Sequence, residues 1–319
     1  MALPTNTHTS YTAIGNAEDV SDEIYRIDPT DTIFMTKAEK TQATAVVHEW
    51  QTQALASVDT ANAVLEGDDA VTDAATPTVR LTNVCQISDK VARVSGTQQW
   101  VEHYGRDDEL AYQEMLKGLE LKRDMESILI GTNQAKNTGG AGTARKVASL
   151  LSWIGTNDNF GGGSGASPTS LDGTATRTDG TQRAFTEAQL KTVLQSCWSN
   201  GGKPETIVLG GFNKQQFSTF TGRATPMEDT KAKKIVASVN VYDSDFGMLD
   251  VYPSYFCRTR DCLVLQMDMW GIAFGKGRKM VSIPLAVTGD SKRRQMLSEY
   301  TLESRNEKAS GGVFDLTTS

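Results

Sequence analysis

The chain has 319 residues, with 38% apolar and 22% charged side chains, 28 glycines and 8 prolines. That length supports one large or two ordinary domains with a real core. No apolar run approaches the roughly 20 residues that cross a bilayer, and the first ten residues lack the basic region and apolar centre of a secretion signal. The formal net charge of −7 is uneven: residues 1–80 carry 13 acidic and 4 basic side chains, residues 81–319 carry 26 and 28. Such a balance excludes a general nucleic-acid-binding surface, which needs clustered Lys and Arg to neutralise phosphates.

Residues 1–43 show little periodicity. Tyr11, Ile24, Tyr25, Ile33 and Phe34 are isolated anchors, too few to fold alone. The segment reads as an extended arm ordered by neighbours, the alternative being a disordered tail. Residues 44–56 read as a strand with His48, Trp50 and Thr52 on one face and Val47, Glu49 and Gln51 on the other. A second strand is expected over 79–88, where Val79, Leu81, Cys85 and Ile87 alternate with polar residues. Between them lies NAVLEGDDAVTDAATPT, acidic and turn-rich. It makes a long hairpin-like projection with no core of its own, a feature suited to lying across a neighbouring subunit; a plain surface loop is the alternative.

The stretch Asp107–Gly131 organises the rest. Tyr112, Met115, Leu116 and Leu119 form one apolar stripe, and Leu121, Met125, Ile128 and Leu129 a second, displaced around the same helix. Acidic residues suit its start and Gly131 its end. One continuous helix, roughly 37 Å long at 1.5 Å per residue, is expected to act as a spine; two shorter helices broken near Gly118 would also explain the displacement.

After a break at 131–142, GGAGTARK (139–146) has the glycines of a phosphate loop without its Gly-Lys-Ser/Thr ending, and a helix rather than a strand precedes it. Residues 146–154 are expected to form an amphipathic helix burying Val147, Leu150, Leu151 and Ile154. Residues 155–184 contain GGGSG and little apolar beyond Phe160 and Leu171. They read as a mobile loop or exposed strap, with Arg177 and Arg183 placed to meet an acidic neighbour. Thr186 and Gln189 make a capping box for a helix to about Ser199, packed through Leu190, Val193, Leu194, Cys197 and Trp198 and ended by Asn200-Gly201-Gly202. Thr206–Leu209 is a buried strand and Phe212–Phe220 a short helix. Ile235–Tyr242 and Met248–Tyr252 read as strands around a turn at Asp243–Gly247, and Cys262–Met267 and Ile272–Phe274 as further strands. Met280–Ala286 is expected to be packed. Arg293–Ser304 reads as a long strand along the spine, with Met296, Tyr300 and Leu302 on one side and Leu297 out of alternation.

Chemistry is hard to find. Cys85, Cys197, Cys257 and Cys262 lack the paired spacing of a zinc site and read as reduced, mostly buried thiols. His8, His48 and His103 lie in three separate elements; His103, close to Asp107 and Asp108, reads as a surface or interface histidine. Asp124 and Glu126 are two apart and do not face each other on a helix, whereas Arg123 and Glu126 are three apart and are expected to pair. Asp243 and Asp245 lack the spacing of a calcium loop. No catalytic, cofactor-binding or metal-binding residue is assigned, and no cofactor. An arm, a coreless projection and a Gly/Ser strap together point to self-association rather than enzymatic activity.

Several segments carry a resemblance: Glu49-Trp50, Leu65-Glu66-Gly67, Asn83 with Gln86-Ile87, Val94-Ser95-Gly96-Thr97, Lys122-Arg123-Asp124-Met125-Glu126, Ser152-Trp153-Ile154, Ser244-Asp245-Phe246-Gly247, and Gly289-Asp290 followed by Glu299-Tyr300-Thr301-Leu302-Glu303. In order and over nearly the whole chain, they resemble the major capsid proteins of tailed bacteriophages with the HK97 fold, in the branch typified by phage SU10. The resemblance implies an α+β fold with an N-terminal arm (1–43), an E-loop and its flanking strands (44–100), a peripheral (P) domain with the spine helix (101–139), an axial (A) domain (140–270) carrying the Gly/Ser-rich loop 155–184, and a return to the P domain (271–319). It implies a homo-oligomer of pentamers and hexamers, an icosahedral shell in the virion, assembled in the host cytoplasm around double-stranded DNA held without sequence-specific contacts. A portal protein at one vertex is the expected partner, with no membrane, and locking falls to the arm and E-loop or to a separate decoration protein; for the chain itself, a tail or decoration subunit is the alternative. No Lys, Asn and catalytic Glu converge in the sequence, so non-covalent locking is expected, and no scaffold segment ahead of the arm. From charge alone, the acidic first 80 residues suit basic patches at Lys231–Lys234, Lys276–Lys279 or Lys292–Arg294 of a neighbour.

Overall fold

The computed structural model describes residues 26–70, 72–220 and 240–319. His8, Tyr11, Ile24, Tyr25 and Lys231–Lys234, and the first five residues of the strand expected over 235–242, lie outside these residues. The chain opens with helix α1 (Ile33–Lys37) and strands β1 (Glu39–Ala43), β2 (Val47–Thr52), β3 (Val79–Val84) and β4 (Gln86–Ser95). Helices α2 (Gly96–Trp100) and α3 (Glu109–Ile130) follow, then β5 (Asp158–Asn159), α4 (Glu187–Ser199), β6 (Thr206–Leu209) and α5 (Gly211–Phe217). The remainder is strand: β7 (Val241–Ser244), β8 (Gly247–Pro253), β9 (Cys262–Leu265), β10 (Trp270–Gly275), β11 (Val281–Pro284), β12 (Ser291–Ser304) and β13 (Gly311–Val313).

The spine α3 is continuous. The Asp108 carboxylate caps it, accepting from the backbone N–H groups of Leu110 (2.8 Å) and Ala111 (3.1 Å), donors that the first helical turn otherwise leaves unpaired. Gly118 does not break it; that residue faces the sheet, where an added Cβ would come 3.6 Å from the Met296 methyl. The two apolar stripes have different uses. Leu121, Met125 and Leu129 are fully buried, whereas Tyr112, Leu116 and Leu119 are half-buried along an open cleft of 620 Å³, and Met115 is exposed.

Beneath α3 lies a five-stranded sheet of order β1-β10-β12-β11, with β4 also paired to β12. The β4–β12 ladder runs from Ser95↔Ser291 to Gln86↔Tyr300. Residues 297–304 of β12 are all buried. A strand covered on both faces has no need of strict alternation, which is why Leu297 departs from it. Phe34 is fully buried in the core beside α3, and β1 pairs parallel with β10. The last eleven residues of the segment read as an arm are therefore ordered by their own subunit.

The second sheet has the order β5-β13-β9-β6-β8-β7. Leu190, Val193, Leu194 and Cys197 of α4 close its core against Ile207, Leu209, Val251, Val264 and Val313. Gln189 accepts from the Thr186 N–H at 3.1 Å, completing the capping box, while Trp198 is exposed and packs on Phe246 at 5.5 Å. The β7–β8 turn is tighter than expected, since Asp243 and Ser244 belong to β7.

Four expectations are corrected. The strand expected over 79–88 splits at Cys85, and its halves join different sheets. Residues 146–154 contain only a single 3-10 turn (Leu150–Ser152), and 147–154 are buried throughout. Their backbone is satisfied by side chains instead of a helix: Val147 and Ala148 donate to the amide oxygens of Gln86 (3.1 Å) and Asn83 (3.0 Å). Of Met280–Ala286 only Val281–Pro284 is a strand, at a sheet edge, with Ile283 and Pro284 exposed. Residues 155–184 fold tightly onto their own subunit. Arg177 is buried, 2.9 Å from Asp158 and 3.4 Å over the Phe314 ring; Arg183 bonds Asn159. The acidic partner expected from a neighbour is thus Asp158 of the same segment. Asp179 meets Arg258 (2.6 Å) and Arg260 (3.3 Å), and Asp315 accepts from Gly161 (3.0 Å), Gly180 (2.9 Å) and Arg260 (2.7 Å).

Candidate assembly surfaces

Strands β2 and β3 pair antiparallel from Val47↔Val84 to Thr52↔Val79 and form the base of the projection. The alternation read in the sequence places His48, Trp50 and Thr52 on the covered face, with Glu49 and Gln51 exposed. Trp50 fixes the base: its indole N–H donates to the Ser304 carbonyl (2.7 Å), and its ring packs on Trp153 at 5.5 Å. The buried Asn83 amide donates to the Leu302 carbonyl at 2.7 Å. His48 lies 3.5 Å from Glu303. The His48 hydrogen bond, with Arg305 and Thr41, holds the Glu303 carboxyl below its usual range despite burial.

Beyond this base the geometry changes. The described residues of 53–78 form no helix or strand, and every one of them is exposed. Leu55, Val58, Val64 and Leu65 are 79–97% exposed, alongside Asp59, Glu66, Asp68, Asp69 and Asp73 and no Lys or Arg.

The arm root is held differently. Glu126 of α3 is completely buried and accepts the N–H groups of Phe34 (2.7 Å) and Met35 (2.8 Å) at the start of α1. Burial pushes its carboxyl up to about 7 against the opposing pull of those two hydrogen bonds. The expected Arg123–Glu126 pair does not form. Arg123 turns to Asp28 (3.9 Å) and Phe256, and Asp124 pairs with Lys90 (2.8 Å). Helical spacing permits an i,i+3 contact, but Glu126 points into the core while Arg123 stays half-exposed.

Of the basic patches, Arg278 lies 2.7 Å from Glu299, Arg294 3.2 Å from Glu114, and Lys279 over Phe274. His103 bonds Gln98 (2.7 Å), and Asp108 serves the helix cap. Residues 137–146 form a small hairpin. All four cysteines are free and buried. Among the described residues, no group of three or more His, Cys, Asp or Glu is placed to hold a metal, and no helix is long and apolar enough to cross a membrane. Sequence reasoning missed Glu126 as the clamp of the arm root; a carboxylate flanked by Met125 and two residues from Ile128 in an otherwise buried stripe was the available signal.

Residues 3–317 match the family model described as SU10 major capsid protein. The chain belongs to the SU10 major capsid protein family. As a member it is a phage capsid protein and part of the virion. It is 43% identical over 130 residues to the major capsid protein of Escherichia phage Phieco32, a match covering 41% of this chain and 37% of that protein. The chain thus aligns with well under half of that relative's length. Its fold is that of HK97-type shells. It is similar to the cyanophage A-1(L) capsid subunit (TM-score 0.65, 12% identity, 98% of this chain and 99% of that one) and to the capsid of a native GTA particle (0.62, 9%, 97% and 98%). The SrpI encapsulin of Synechococcus elongatus is similar too (0.57, 11%, 96% and 94%). Two of these structures are described as capsids and one as an encapsulin complex.

Proposed function

We propose that this chain assembles as pentamers and hexamers into an icosahedral shell around double-stranded DNA, with each projection lying across a neighbouring copy. What carries the reading is residues 53–78: they hold apolar side chains in water and have like charges that cannot pair among themselves. Burying Leu55, Val58, Val64 and Leu65 against a second subunit would contribute roughly 1.5–3 kcal/mol apiece before ordering costs. In this reading the limits are those of an arm (1–43, its root docked at 33–43), E-loop (44–100), spine and P domain (101–139), A domain (140–270) and P-domain return (271–319). The shell is locked without covalent bonds, since the projection holds no lysine to crosslink. A portal protein occupies one vertex, locking falls to the arm and E-loop or to a separate decoration protein, and the chain itself performs no catalysis.

The test is to replace residues 57–78 with a short turn and examine the product by electron microscopy beside the full chain. The full chain should give closed shells, and the shortened one capsomers or monomers with an unchanged melting temperature. Closed shells from the shortened chain, or rings and tubes from the full one, would overturn the reading.

A further inference from the structure

The backbone N–H groups that open α1 are bonded to the spine through one carboxylate, beside the buried Phe34 ring. Glu126 is wholly buried, and both of its oxygens are used on backbone N–H groups, Oε1 from Phe34 and Oε2 from Met35. A buried carboxylate ordinarily needs a cation, yet the charged groups on the surrounding elements are turned to other partners. On α3 itself, Arg123 is drawn to Asp28 and Asp124 to Lys90. On α1, Lys37 lies with Asp250 (3.8 Å) and over the Tyr252 ring. In the loop after β8, the Cys257 thiol is buried and pushed well up by burial, so it stays neutral, and Arg258 sits with Asp179 and Asp261.

We propose that Glu126 is the positioning residue for the N-terminal arm, a protonation-dependent latch that fixes the arm root to the spine and loosens it as pH rises towards neutrality. The arm leaves the body just ahead of this contact, past Asp28 and Arg26 in the cleft beside Tyr112 and Leu116. The effect of the latch on a shell rests on the assembly reading above; the contact itself does not.

The sign follows from burial. A docked carboxyl pushed up to about 7, against 4.5 when released into water, means that docking takes up a proton. The latch is fully closed below 4.5 and weakens as pH rises to 7, then levels off. Undocking at pH 8.5 should exceed that at pH 6 by about tenfold.

Hydrogen exchange read by mass spectrometry tests this on the full chain, as free subunits and as particles. The amides of 33–37, corrected for the intrinsic pH dependence of exchange, should lose about tenfold protection between pH 6 and pH 8.5. Glu126→Gln carries the same one strong acceptor oxygen as the protonated carboxyl, so it should hold α1 about as the wild type does at low pH and without pH dependence, and Glu126→Ala should leave 33–37 less protected at both pH values. Protection of segment 121–130 shows that the spine remains folded in each variant. PH-independent protection in the wild type, or an undiminished pH response in Glu126→Gln, would overturn the latch. Failure of the wild type to form shells would count against the assembly reading alone, because the free subunit still reports the contact.

Discussion

Two long segments of this chain are poor in large apolar side chains, and they end up in opposite situations. The strap at 155–184 closes on its own subunit, whereas the projection at 53–78 stands in water along every described residue. Charge composition separates them. The strap has Asp158, Asp172 and Asp179 with Arg177 and Arg183, so opposite charges can be paired and buried, and Phe314 and Asp315 return to receive them. The projection has five carboxylates and no cation between residues 53 and 78, leaving only repulsion within itself and attraction for another surface. Gly/Ser content does not make a segment loose; same-sign charge without apolar partners does.

The sharpest way to break this contrast is to remove the buried cation of the strap. Arg177→Met leaves Asp158 buried without its partner and should lower subunit stability by about 3–5 kcal/mol, seen as a fall in the urea midpoint; an unchanged midpoint would mean that the strap is not held by its charges. Next comes a pair of glycine substitutions. A Cβ at Gly161 would overlap the Thr181 carbonyl oxygen, so Gly161→Ala should cost about 1–3 kcal/mol. Gly67 in the projection has φ +84 and nothing within 4 Å, so Gly67→Ala should strain its own turn and leave the urea midpoint of the body where it was.

A smaller effect is expected at the hinge between the two behaviours. The Glu303 carboxyl is depressed by His48 and its other partners, so its contribution is present above its unperturbed value of 4.5 and is lost as pH falls below it. Exchange of the β2–β3 amides should quicken below that pH, and Glu303→Gln should remove the step. Smallest of all on the subunit, Asp68→Lys with Asp69→Lys should change stability by no more than about 0.5 kcal/mol, yet slow shell formation measured by light scattering and weaken its dependence on salt.

What could be read directly from the sequence was whatever depends on short-range periodicity and capping. The spine with its acidic start, the Thr186 box, the buried strand Thr206–Leu209 and the shared face of His48, Trp50 and Thr52 all follow from spacing along the chain. The exposure of 53–78 was legible too, from its charge and its lack of a core. Residues 146–154 were not, because a helical spacing of Val147, Leu150 and Ile154 says nothing of the Asn83 and Gln86 amides that arrive from β3 and β4 to replace a helix's own hydrogen bonds. Nor could spacing choose between Arg123 and the ends of Phe34 and Met35 as the partner of Glu126, or divide 79–88 between two sheets at Cys85. Those outcomes belong to the tertiary structure, since burial removes water as an alternative partner and each polar group must then bond whatever distant segment the packing brings within reach.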